Sequence, residues 1–106
     1  MKKERYEEAL EVLERAELFQ PNEPEIIFLR GNILLQQGNY EDSINYLHEC
    51  EDIVEDKDEI YYYIGLAYQD WGKYDEAIKF YERALDFNLN NEDALYEMAY
   101  CLDVTG

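Results

Sequence analysis

Apolar residues recur three and four positions apart along almost the whole chain, and the pattern breaks at proline, glycine and asparagine. This spacing predicts six helices, near 4–19, 24–37, 40–54, 58–71, 74–88 and 92–104. Pro24 suits the first turn of the second helix, where a missing N–H costs nothing. Gly38 and Gly72 stand where a helix must stop and reverse, with no Cβ to oppose a left-handed backbone. Asn90 and Asn91 are suitable N-caps for the last helix. Tyr61-Tyr62-Tyr63-Ile64 has β-propensity taken alone, but the helical period around it governs, and no long stretch alternates with period two. The glycines also interrupt any heptad pattern before a coiled coil could build up. Short connections make successive helices antiparallel neighbours.

A second period lies over the first. Arg30-Gly31-Asn32 and Ile64-Gly65-Leu66 stand 34 residues apart, as do Gly38 and Gly72. Asn39-Tyr40-Glu41-Asp42-Ser43-Ile44 and Lys73-Tyr74-Asp75-Glu76-Ala77-Ile78 keep the same offset. One supersecondary unit is therefore repeated in tandem. Tyr61-x2-Ile64-Gly65-x2-Tyr68, followed by Ala77-x3-Tyr81 and Ala84, resembles the tetratricopeptide repeat, with Tyr61 in the tryptophan position and Leu89 replacing the closing proline. Ile27, Gly31, Leu34, Ser43, Leu47 and Cys50 fill the same positions one repeat earlier, although Arg30 occupies a normally apolar one. Ala9, Leu13, Ala16 and Pro21 match a second half-repeat, and Leu95, Met98, Ala99 and Leu102 a first half-repeat. The resemblance implies an all-α fold, an α-α superhelix of six antiparallel helices. It divides residues 1–106 into a half-repeat at 1–23, repeats at 24–57 and 58–91, and a half-repeat at 92–106.

The repeat assigns most of the 11 tyrosines to packing. Gly31, Gly65 and Ala99 are small where the first helix of a unit meets the second, and Ala9, Ser43 and Ala77 answer from the second. Tyr68, Tyr81, Leu34 and Leu47 fill the space between layers. Cys50 and Cys101 fall at small buried positions and form no CxxC pair, which reads as a reduced, cytoplasmic protein.

Acids outnumber bases 26 to 9, a formal charge of −17. Such a field repels nucleic-acid phosphates and anionic membrane surfaces and favours a basic or neutral partner. Solvated helix faces are the other reading of the same charge. No apolar run approaches the roughly 20 residues of a membrane helix, and the opening Met1-Lys2-Lys3-Glu4 lacks the apolar core of a signal peptide.

The resemblance further implies that the first helices of successive repeats line a concave groove that takes a protein or peptide segment. Helical spacing then puts Glu25, Glu59 and Asp93 in one row, Phe28, Tyr62 and Tyr96 in a second, and Asn32, Leu66 and Tyr100 in a third. Leu35, Gln36, Gln69, Asp70, Asp103 and Val104 border them. An aromatic row beside an acidic row suits an apolar or basic ligand; the alternative is that the rings only pack sideways between helices. Clamps for the acidic tails of heat-shock chaperones carry Lys, Asn, Asn, Lys and Arg. Only Asn32 matches, while Phe28, Tyr63, Asp93 and Glu97 hold the other positions.

Nothing marks an enzyme. His48 has no nucleophile placed beside it by a motif and reads as a solvated residue of the third helix. No phosphate loop occurs, and the acidic run Glu49–Glu59 lacks the glycine and spacing of a calcium loop, so no metal or cofactor is expected. In repeat register the chain opens on a second helix and closes on a first, which reads as a fragment of a longer array. Leu10, Val12, Leu13 and Phe19 at one end, and Leu95, Met98 and Leu102 at the other, are then expected to be unpaired. Because residues 5–106 make three periods of 34, the two ends could join head to tail as a homo-oligomer.

Overall fold

The computed structural model describes the backbone of residues 3–106 and the side chains from Arg5 onward. Six helices follow one another: α1 (Lys3–Phe19), α2 (Pro24–Gln36), α3 (Tyr40–Glu49), α4 (Lys57–Asp70), α5 (Tyr74–Phe87) and α6 (Glu92–Thr105). Each packs on the next, and α2 also meets α4, as α4 meets α6. The even-numbered helices thus lie side by side as one layer of a block measuring 42 × 30 × 19 Å.

Turn chemistry sets the reversals. Gly38 and Gly72 both have φ of 83°. At the first, the Gly38 N–H donates to the Leu35 carbonyl and the Asn39 N–H to the Leu34 carbonyl. At the second, Gly72 and Lys73 repeat the pattern on Gln69 and Tyr68. These paired bonds satisfy carbonyls that a helix end would otherwise leave bare. Asn22 takes the left-handed position after α1, with φ of 65°. Pro24 opens α2, and Asn91 caps α6 by accepting from the Ala94 N–H at 3.0 Å.

The third helix departs from expectation. It ends at Glu49 rather than near residue 54, and Cys50, Ile53 and Val54 continue as tight turns. Glu49, Glu51, Asp52, Glu55 and Asp56 crowd the end of the helix where its dipole is already negative, which disfavours further turns. Lys57 closes the segment, its ammonium donating to the Glu51 and Val54 carbonyls, while Val54 turns into the core.

Packing follows the 34-residue register. A Cβ on Gly31 would lie 3.0 Å from Leu47, and one on Gly65 would lie 2.5 Å from the Tyr81 ring. Ser43 fits beneath Gly31 by donating its hydroxyl to that carbonyl at 2.8 Å. Arg30, the residue out of pattern, bridges α1 to α2 through Glu17 and lies over the Tyr46 ring at 5.6 Å. Leu13 is a correction to the expectation of unpaired ends. It is 7% exposed, packed with Ile26 and Ile33, because α1 lies directly on α2. Leu10 and Met98 are likewise half-covered, whereas Val12, Phe19, Leu95 and Leu102 are exposed. His48 is a second correction: it is half-buried, its ring edge-on to Phe80 at 5.6 Å and its Nδ1 3.4 Å from Glu51.

Candidate peptide groove

α2 and α4 leave between them a cleft of about 470 Å³, lined by Glu25, Phe28, Leu29 and Asn32 from one helix and Glu59 and Tyr63 from the other. Four of the residues singled out in the sequence therefore meet in one place: Glu25, Phe28, Asn32 and Glu59. Leu29 and Tyr63 join them from the positions immediately after the aromatic row. The ring of Phe28 does not stand upright in the cleft. It is only 9% exposed and stacks on Tyr63 with centroids 4.6 Å apart and planes 20° from parallel. The signal was a periodic one, since Phe28 and Tyr63 lie one repeat plus one residue apart, but the tilt between the two helices decides the contact.

The aromatic row is closed at α2, half-open at α4 and open at α6. Tyr62 is half-buried, edge-on to Tyr63 at 5.3 Å and 6.0 Å from Tyr81. Tyr96 is 72% exposed and Tyr100 46% exposed. Phe28 is covered by α4, and Tyr62 packs against the cluster that α5 and α6 build from Ala77, Tyr81, Ala84, Ala94 and Cys101. Leu66 is partly buried against the cluster of Tyr81, Ala94 and Cys101. Asp93 is exposed beside the open rings.

Gln69 organises the α4–α6 side. Its Oε1 accepts from the Tyr81 hydroxyl at 2.7 Å and the Cys101 thiol at 3.2 Å, and its Nε2 donates to Glu97 at 3.0 Å. One carboxylate is thereby fixed at the edge of the aromatic row.

The groove is a negative field. Burial and then Asp56 and Asp58 raise the Glu59 carboxyl above its ordinary range, and burial and then Glu97 do the same for Asp70. Burial pushes the Tyr62 phenol up to about 12, helped by Asp93 and Glu97. Tyr63 rises for the same reason, with Glu59 and Asp93 adding to it. After Lys57, α4 and α6 carry Asp58, Glu59, Asp70, Glu92, Asp93, Glu97 and Asp103 and no base. Arg30 is the one base on α2, and it is engaged with Glu17. Among the described residues, no group of three His, Cys, Asp or Glu side chains is placed to hold a metal ion. No helix of the described residues is long and apolar enough to cross a membrane.

Comparison with known proteins sets this geometry beside its relatives. Residues 2–84 match the family model described as anaphase-promoting complex, cyclosome, subunit 3. No curated protein matches the chain. Among solved structures, a thermophilic tetratricopeptide protein of Thermus thermophilus is 28% identical, with a TM-score of 0.81, over 95% of this chain and 54% of that one. The first tetratricopeptide domain of Spaghetti (RPAP3), bound to the HSP90 peptide SRMEEVD, is 20% identical with a TM-score of 0.75, covering 97% of this chain and 82% of that one. YrrB, a tetratricopeptide protein with an unusual peptide-binding site, is 21% identical with a TM-score of 0.74, over 89% of this chain and 48% of its own. The chain thus spans about half the length of the Thermus protein and of YrrB.

Proposed function

The chain belongs to the family described as anaphase-promoting complex, cyclosome, subunit 3, and its fold is a tetratricopeptide solenoid; from that premise we propose that it is a protein-interaction scaffold whose α2–α4–α6 groove takes a basic segment of a partner. The observation that carries the reading is the cleft in which Glu25 and Glu59 flank the stacked Phe28–Tyr63 pair with no base in its lining. Apolar ring area gives contact at low entropic cost, and the carboxylates select a cation. The peptide SRMEEVD seen on the Spaghetti domain is acidic. Here Asp93 and Glu97 would repel such a tail. We read 24–57 and 58–91 as complete repeats flanked by half-repeats at 1–23 and 92–106. The free, buried Cys50 and Cys101 support a reducing, cytoplasmic setting.

Binding of fluorescent oligolysine, with oligoglutamate as the control, tests the reading. Oligolysine is expected to bind and to weaken as salt rises. Glu59→Lys and Tyr96→Ala should each weaken it about tenfold, equivalent to about 1.4 kcal/mol. Tyr96→Ala should leave the melting temperature unchanged, because that ring is exposed. Equal binding of oligoglutamate, or affinity indifferent to salt, would sink the proposal.

A second reading rests on a separate observation. Val12, Leu95, Tyr96 and Leu102 leave apolar area exposed on α1 and α6, which supports head-to-tail self-association of the array.

A further inference from the structure

We infer that the hollow between the α2–α3 turn and the end of α4 is a second binding site, which takes an arginine side chain of a partner protein against Trp71. The hollow measures about 250 Å³ and is lined by Gly38, Asn39, Tyr40, Glu41, Asp42 and Trp71. It is independent of the α2–α4–α6 groove. Glu59 stands in the first turn of α4 and Trp71 just past its last, so about 18 Å of helix rise separates them.

The repeat does not account for these residues. Gln37 stands one period before Trp71, so the reversal after a first helix needs no ring there. In both turns the residue two places on leans over this position. Asn39 Nδ2 donates to Gln37 Oε1 at 3.5 Å, and the Lys73 ammonium lies 3.9 Å from the centre of the Trp71 ring. Trp71 is half-buried and stacks on Tyr40, with centroids 5.9 Å apart and planes 18° from parallel. Among the described residues Lys73 enters no ion pair; in a chain with this excess of acid, its ammonium rests on a ring. The chain's own lysine thus demonstrates that Trp71 admits a cation.

The acids of the hollow are left over in the same way. Asp42 matches Glu76 one period on, and Glu76 pairs with Lys79 at 3.3 Å. The residue that matches Lys79 is Asn45, which carries no charge. Glu41 and Asp42 are exposed, and among the described residues they form no ion pair. Their place in the first turn of α3 suits the helix dipole, but Glu76 suits the dipole of α5 equally while paired.

Chemistry selects arginine over lysine. A partner's lysine would only exchange one ammonium for another. A guanidinium is planar and weakly hydrated, stacks on aromatic faces, and presents a fork of N–H donors that a carboxylate accepts two at a time. Trp71 supplies the stacking face, and Glu41 or Asp42 the paired acceptors. Lys73 covers the ring until an arginine displaces it, and so sets a threshold against weaker cations.

Trp71 is the one tryptophan of the chain, so its fluorescence reports on the site directly. Titration with oligoarginine is expected to change that fluorescence saturably, and at lower concentration than oligolysine of equal length. Lys73→Gln removes the competitor and should tighten oligoarginine about threefold. Glu41→Gln combined with Asp42→Asn should weaken it about fivefold. All three positions are exposed, and circular dichroism melting checks that each variant folds. Glu59→Lys, in the groove, should leave the Trp71 response unchanged, because salt screens a charge at that distance. Fluorescence that does not respond, or a response that oligolysine matches, overturns the site. So does one that Lys73→Gln weakens, that ignores the loss of both acids, or that disappears in Glu59→Lys. A Trp71 response in a chain whose groove binds no oligolysine would count against the groove reading and leave this site standing.

Discussion

Tyr81 shows how much a single side chain fixes. It is fully buried, lies across Gly65 and reaches Gln69 with its hydroxyl. Alanine at Gly65 would gain about 1 kcal/mol of helix propensity. The added Cβ, however, would stand 2.5 Å from a ring that cannot turn away. Overpacking of about 1–3 kcal/mol wins, so Gly65→Ala should lower stability in urea denaturation. Gly31→Ala meets Leu47 less closely, a methyl at 3.0 Å and Cγ at 3.3 Å, and should be close to neutral. Equal losses at both sites would show that the Tyr81 ring yields as easily as the leucine. Residue identity at these small positions was legible from the 34-residue spacing. That the two glycines differ in tolerance was not, because it depends on whether a rigid ring or a branched chain lies opposite.

Among the elements, the turns after α2 and α4 carry the reversal of the chain. No atom comes within 4 Å of a Cβ added at Gly72, yet its φ of 83° is one that side chains oppose. The cost of Gly72→Ala is thus torsional, about 1–2 kcal/mol, and Gly72→Asn should recover part of it, as Asn22 already holds such a conformation. Thermal melting of the pair checks this, and an asparagine variant no better than alanine would contradict it. Element type was readable throughout, since the helical period is unbroken between turn residues. The end of α3 was not, because apolar Ile53 and Val54 continue the period while the acids around them end the helix. Likewise Tyr63 was placed at a chaperone-clamp position but not in the three rows, because which ring leans into the cleft depends on the tilt between α2 and α4.

At the scale of the molecule, burial, and after it the excess of acid, couples stability to pH. The Tyr62 phenol titrates near 10 when unfolded and at about 12 when folded. Folding therefore favours its neutral form. The stability this contributes is fully present below pH 10 and is lost as pH rises through about 12. Melting temperature should fall across that window, and fall less in Tyr62→Phe, which has no phenol to ionise; an equal fall in both would contradict it. Glu59 and Asp70 act at the other end of the scale. Their raised folded values mean that the charged forms oppose folding at neutral pH, and this opposition is relieved as pH falls through them toward the ordinary carboxylate range.

The sequence by itself determined the helices, the two reversals, the small-residue positions and the row of acids without bases, because each follows from local periodicity or from composition. It also set an aromatic row beside an acidic one, without deciding whether those rings face a ligand or pack sideways between helices. Only the tertiary structure decided which of those rings are available. Phe28 closes onto Tyr63, Tyr62 is held between Tyr63 and Tyr81, and Tyr96 stays open, since a ring's exposure depends on which neighbours pack against it. The same physics divided the ends: Leu13 found cover on α2, while Leu95 and Leu102 did not. Periodicity states what each position must be; packing states which neighbour it meets.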